Sequence, residues 1–207
     1  MGTDIHGGIE FRHPGVGTDY YDGESWVAAM DLWPLYDQTD YAAFGCLFGV
    51  RNYAGFRPLA PGRGLPPDLS SGMRTQLESS VATGDLTRAS WVSWAELAAL
   101  DPAATPDRFV GRLTWWEKSL PSTRHQQLVP ADWPAEVLTV VGPPPADQLD
   151  AAGCLKWTTE ELTCAFEPLT VGTVLGADSH WPHVFAVMEA MATRFGDAGV
   201  RLVVAFD

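Results

Sequence analysis

The segment Val200-Arg-Leu-Val-Val-Ala-Phe206 is almost continuously apolar and rich in Val. A run this short with β-branched residues reads as a strand buried on both faces, which places it inside a sheet with other elements packed over each side. The residues before it supply one such element. Ser179 can cap a helix reaching about Phe195, with Trp181, Val184, Phe185, Met188, Met191, Ala192 and Phe195 on one stripe and Gly196 and Gly199 to stop it. At the other end of the chain Asp4 to Arg12 alternates, with Ile5, Ile9 and Phe11 on the core side and Asp4, His6, Glu10 and Arg12 opposite. Ser25 to Met30 can return as its hairpin partner. The expected fold is α+β: a mixed or mainly antiparallel sheet that includes the N-terminal and C-terminal strands, packed against a few helices.

The 207 residues fit a single globular domain, residues 1–207. Asp40 to Val50 reads as a helix with Asp40 as N-cap and Tyr41, Phe44, Leu47 and Phe48 on one face. Four prolines and two glycines between Pro58 and Ser71 predict a shaped, irregular loop, taken as residues 57–72. Ser93-Trp-Ala-Glu96 is a capping box, and Thr158-Thr-Glu-Glu161 has the same form. Residues 103–153 are the least legible part; within them Val137 to Val141 reads as a strand.

Charge narrows the function classes. There are 26 acidic residues against 13 Lys and Arg, a formal charge of −13, which repels nucleic acid and anionic membrane surfaces. Neither is expected as a partner. Three Cys (Cys46, Cys154, Cys164) without C-x-x-C spacing make a disulfide framework or a Cys-based zinc knuckle unexpected and fit a reducing compartment. With no signal-peptide pattern and no apolar run long enough to span a bilayer, the expected location is cytoplasmic.

Three constellations could carry chemistry. Asp4, His6 and Glu10 share one strand face over about 13–20 Å. A His with a carboxylate two residues away suits acid/base work or metal ligation, so these three are the candidate catalytic residues. His180 and His183, three apart at the start of the last helix, join His6 as candidate metal ligands, with a divalent ion as the cofactor class. Arg51, Asn52 and the Gly62-Arg63-Gly64 loop are candidates for ligand binding: glycines let backbone N–H groups approach an anion and Arg donates to it in a fork. The Lys-Ser/Thr pair of a P-loop, a Rossmann fingerprint and a G-x-S-x-G elbow are absent from the sequence.

Met1-Gly-Thr-Asp-Ile-His6, Phe44-Gly-Cys-Leu-Phe-Gly-Val-Arg-Asn52, Arg63-Gly-Leu-Pro-Pro-Asp-Leu-Ser70, Ser90-Trp-Val-Ser-Trp-Ala-Glu-Leu97 and the closing Val200 to Asp207 together resemble a family of small proteins found in bacteriophages and bacterial genomes. That family has no assigned activity, so the resemblance implies a phage or prophage-like setting and no mechanism. It covers the first half and the last strand. The family pattern has a His shortly before the Ser-Trp pair, where this chain has Thr87-Arg88-Ala89.

The leading expectation is a polar cleft that binds a small anionic or nucleotide-like ligand, with Asp4, His6 and Glu10 as one wall and Arg51 and Arg63 holding the anion. The residues leave open whether the ligand is hydrolysed, and the oligomeric state. If the cleft exists, His6 shares a pocket with Arg51 or His183. The alternative is a non-catalytic phage accessory factor meeting a host protein through an acidic, Trp-bearing surface.

Overall fold

The computed structural model describes residues 2–207, without the side chains of Ser79 and Ala146. Met1, which opens the first motif above, lies outside the described residues. In chain order the elements are β1 (Ile5–Arg12), β2 (Trp26–Asp31), α1 (Tyr41–Phe48), α2 (Ser71–Thr83), β3 (Thr87–Ser93), α3 (Trp94–Ala98), β4 (Gly111–Glu117), β5 (Arg124–Val129), α4 (Ala135–Val141), β6 (Leu155–Thr158), β7 (Leu162–Pro168), α5 (Val171–Val174), α6 (Trp181–Phe195) and β8 (Val200–Phe206). The fold is α+β, built on two antiparallel four-stranded sheets. Among the described residues no helix is long and apolar enough to cross a membrane.

Where the sequence reads as one domain with an illegible middle, the structure separates two compact units, and all of that middle, residues 103–153, lies in the second. One unit comprises Met1–Tyr53, Pro58–Asp101 and Leu175–Asp207, the other Ala54–Arg57 and Pro102–Val174.

The first unit is three layers around a sheet ordered β2-β1-β8-β3. Strand β8 lies inside it and every one of its residues is buried, as its unbroken apolar run requires. Helix α2 covers the face carrying Val203 and Ala205, with Met73 and Leu77 in the shared core. On the opposite face Phe44 and Phe48 of α1 pack against Phe206, and Phe195 of α6 stacks on Phe11 at 4.3 Å. Strands β1 and β8 approach so closely that a Cβ on Gly7 would run into the Val203 carbonyl, and Gly7 also has φ +141°. Only glycine fits there.

Several local readings hold. Asp40 caps α1, accepting from the N–H groups of Ala42 and Ala43, and Ser93 with Glu96 forms the capping box of α3. Gly45 leaves room for Asn52 to press against α1. Others are corrected. Val137–Val141 is helical: Val137 and Val141, four apart, are both buried and Gly142 ends the turn, so the period is helical and not alternating. Thr158 does not start a helix; it pairs with Thr163 in the β6–β7 hairpin, where the Thr159 hydroxyl accepts from the Leu162 N–H. The 57–72 loop is shorter than expected, since Ser70 caps α2 and the helix begins at Ser71.

The second unit holds the other sheet, ordered β5-β4-β7-β6. Its core joins Leu113, Val129, Leu155, Trp157 and Cys164 to Val137 and Val141 of α4, with Trp133 packed beside Trp157 and Phe166.

Replacing Gly7 with Ala is expected to destabilise the fold by about 2–4 kcal/mol, since it adds both a forbidden φ and a backbone clash. Urea unfolding of the purified variant, read by circular dichroism, measures it.

Candidate functional site

The antiparallel register of β1 and β8 sets His6 opposite Ala205 and brings Asp207 beside it. His6 Nε2 lies 3.5 Å from Asp207 Oδ2, both half-exposed. Asp207 Oδ1 accepts from the Asp4 N–H at 2.7 Å, and Asp4 Oδ1 accepts from the Thr39 hydroxyl at 2.8 Å. The carboxylate facing the His6 ring is therefore Asp207, 201 positions away, a neighbour that no local spacing reveals.

His6 opens onto a cleft of about 330 Å³ lined also by Asp4, Asp31, Trp33, Asp37 and Gln76. This cleft is acidic. Hydrogen bonding from Gln38, then from His180, holds the Asp37 carboxyl below the usual range. His180 Nδ1 sits 3.0 Å from Asp37 Oδ1, and the His183 ring is 6.0 Å from that of His180. His180 thus reaches the rim of the cleft through Asp37.

Asp207 itself lines a second cleft, of about 400 Å³, with Thr3, Arg51, Tyr53, Thr87 and Arg88, and not the first. Arg51 Nε donates to the Thr3 hydroxyl at 2.9 Å and Nη1 to the Tyr53 hydroxyl at 3.2 Å. Arg51 and Arg88 are the two non-glycine residues with positive φ among the described residues, at 50° and 48°. Arg88 owes its position to an irregularity in β3 between Thr87 and Ser90, where pairing with β8 skips. The expected sharing of one pocket by His6 and Arg51 is not seen: His6 lines the first cleft, Arg51 the second, and Asp207 of the second lies 3.5 Å from His6.

Three of the candidate residues sit elsewhere. Glu10 is fully buried under the start of α2, accepting from Arg201 Nε at 2.7 Å and from the Ser70 N–H at 2.9 Å. It does share a strand face with His6, but that face is covered by a helix at Glu10 and open at His6, which alternation alone cannot distinguish. Arg63 is committed within the protein: to Glu96 at 2.6 Å, to the carbonyls of Leu59 and Trp91, and over the Trp91 ring at 5.1 Å. Asn52 packs on α1 and lines neither cleft. Among the described residues no group of three His, Cys, Asp or Glu is placed to hold a metal ion, so His6, His180 and His183 do not fit a divalent-metal centre. Burial pushes the Cys46 thiol up to about 12, which leaves it unsuited to nucleophilic work.

Asp31, Trp33, Asp37, Gln76 and Asp207 are the cleft residues that the sequence left unmarked, and Arg88 stood out as part of the Thr87-Arg88-Ala89 departure from the family pattern.

Removing Glu10 as Glu10→Ala strands Arg201 in the core and is expected to cost about 3–5 kcal/mol by chemical unfolding. Glu96 titrates differently. Hydrogen bonding from Arg63, helped by the Ser93 N–H and hydroxyl, lowers its pKa from 4.5 to about 2. Its folded pKa is depressed, so its contribution is complete above pH 4.5 and disappears as pH falls towards 2. The stability gap between wild type and Glu96→Gln is therefore expected to narrow across that interval in a pH series of urea melts. Compared with protein-family models, curated proteins and solved structures, the chain matches none, so the site speaks through its own residues alone.

Proposed function

We propose that the protein binds a small anionic, nucleotide-like ligand in the cleft of Arg51 and Arg88, with Asp207 on its wall and His6 3.5 Å behind that carboxylate. The observation that carries this is the pair of arginines held in left-handed backbone conformation around one cleft. Such conformations cost about 1–3 kcal/mol each and gather where a site needs them. Arg88 is exposed and its side chain makes no hydrogen bond or ion pair with any described residue. The hydroxyls of Thr3 and Tyr53 accept from Arg51 and so keep their hydrogens for phosphate or carboxylate oxygens, whereas Thr87 donates to the Phe206 carbonyl.

With a net charge of −13, the field of the whole chain opposes anions, and only a local cationic pocket of this kind can hold one. The same field disfavours nucleic acid. If the ligand is hydrolysed, His6 is the acid/base group and Asp207 orients it. The free thiols are consistent with a cytoplasmic location, and the motif resemblance supports a phage or prophage-like setting.

A second reading has one observation in its favour. Trp33 is 78% exposed beside Asp31 and Asp37, the kind of acidic, aromatic surface through which a non-catalytic protein meets a host partner.

Thermal unfolding with inorganic phosphate and with ADP separates the two. Wild type is expected to gain midpoint temperature as ligand rises, by an amount that follows ligand concentration over Kd. Arg88→Asn keeps a residue that tolerates positive φ and is expected to weaken binding about tenfold or more. His6→Ala should retain the shift. Equal midpoints for wild type with and without every anion would overturn the anion site and favour the second reading.

A further inference from the structure

The two edges of the first sheet are treated differently by the chain. The β3 edge is covered: the Gly64 N–H donates to the Ala89 carbonyl and Arg63 Nη1 to the Trp91 carbonyl. The β2 edge has β1 on one side only, and no described residue beyond β1 hydrogen-bonds the backbone of Val27 to Asp31. Ala28, Ala29, Met30 and Asp31 are all exposed. Soluble proteins normally guard such an edge with Lys or Pro, because its outward N–H and C=O groups template another strand. β2 reads Trp-Val-Ala-Ala-Met-Asp and carries neither. Of the usual guards it has one, a bulge at Ala29, which the register with β1 skips between Ala28 and Met30; Met30 and Asp31 beyond it stay exposed.

The surroundings of this edge state what it would accept. Where β2 ends, Asp31, Asp37 and Asp4 line the acidic cleft with Gln76, and Trp33 stands 78% exposed at the rim. A lysine or arginine side chain fits that set, with its stem against the indole and its charge among the carboxylates. A second copy of the chain fits poorly. Two-fold pairing of β2 about Ala28 and Ala29 sets Asp31 opposite Trp26, with no cation on the strand, between two chains each of charge −13.

We infer that β2 is a docking edge for an extended basic peptide segment of a partner protein, which adds as a further strand and seats a cationic side chain in the Asp4–Asp31–Asp37 cleft beside Trp33. Backbone pairing supplies affinity and the cleft supplies selectivity for positive charge. This rests on the second functional reading and is independent of the anion site.

The test uses the full chain and three acetylated, amidated hexapeptides: Lys-Val repeated, Glu-Val repeated, and the Lys-Val peptide N-methylated on alternate residues. Titration calorimetry is expected to show binding of the first alone. Amide hydrogen exchange should slow within Ala28 to Asp31 when it is present. The double variant Asp31→Asn/Asp37→Asn and the variant Trp33→Ala, all at exposed positions, are expected to bind about tenfold more weakly. Arg88→Asn should bind as wild type does, which separates this edge from the anion cleft. Equal binding of the N-methylated peptide would overturn strand addition while leaving an acidic docking surface intact. Absence of binding by any peptide would overturn both. Concentration-dependent dimers with protected β2 amides would make a second copy the occupant and overturn the basic partner.

Discussion

The Arg201 guanidinium is the contact on which the first unit is built. It lies on the buried central strand, 3% exposed, over the Trp26 ring at 3.8 Å, with Glu10 on Nε and both the carboxylate and the carbonyl of Asp68 on its remaining nitrogens. Burial works against the charge of Asp68, yet Arg201 and the Trp26 indole N–H together hold its carboxyl below the usual range. A charge at this depth survives only if its donors are answered. The answer comes from β1, β2 and the segment that leads into α2, so one guanidinium ties strand register to the position of a helix. Ser70 completes the arrangement, capping α2 with its side chain while its N–H holds Glu10.

That anchoring explains why the two ends of one strand face behave so differently. At Glu10 the face lies beneath α2 and carries structure. At His6 it emerges beyond the helix, where Asp4 and Asp207 meet across the β1–β8 pairing. The result is two clefts of opposite character: Asp4, Asp31 and Asp37 line one with His6; Arg51 and Arg88 line the other with Asp207.

Legibility followed the range of the interactions. The β8 run, the α6 stripe, the Asp40 cap and the Ser93 capping box depend on neighbours a few residues apart, and all were readable. The second sheet was not. Its β5 strand, Arg-His-Gln-Gln-Leu-Val, is mostly polar and exposed, so it has no apolar alternation to detect. Helix α2 was hidden by Gly72 and a polar face, although Met73 and Leu77 do keep helical spacing. The fork of Arg63 looked available for an anion because nothing near it in sequence satisfies it; Glu96, 33 residues on, does so in space.

By itself the sequence determined the fold class, the buried final strand, two helix starts, an acidic surface charge and the location of His6 as a place of interest. Each of these follows from composition or from short-range periodicity, which the chain carries without folding. Tertiary structure alone decided which polar residues of β1 are buried and which are open. It made Asp207 the partner of His6 and gathered Arg88 with Arg51. It left β2 uncovered while β3 was capped. Those are outcomes of strand pairing and helix placement across up to two hundred residues, where one side chain of Arg201 selects the register and the helix above it decides what solvent can reach.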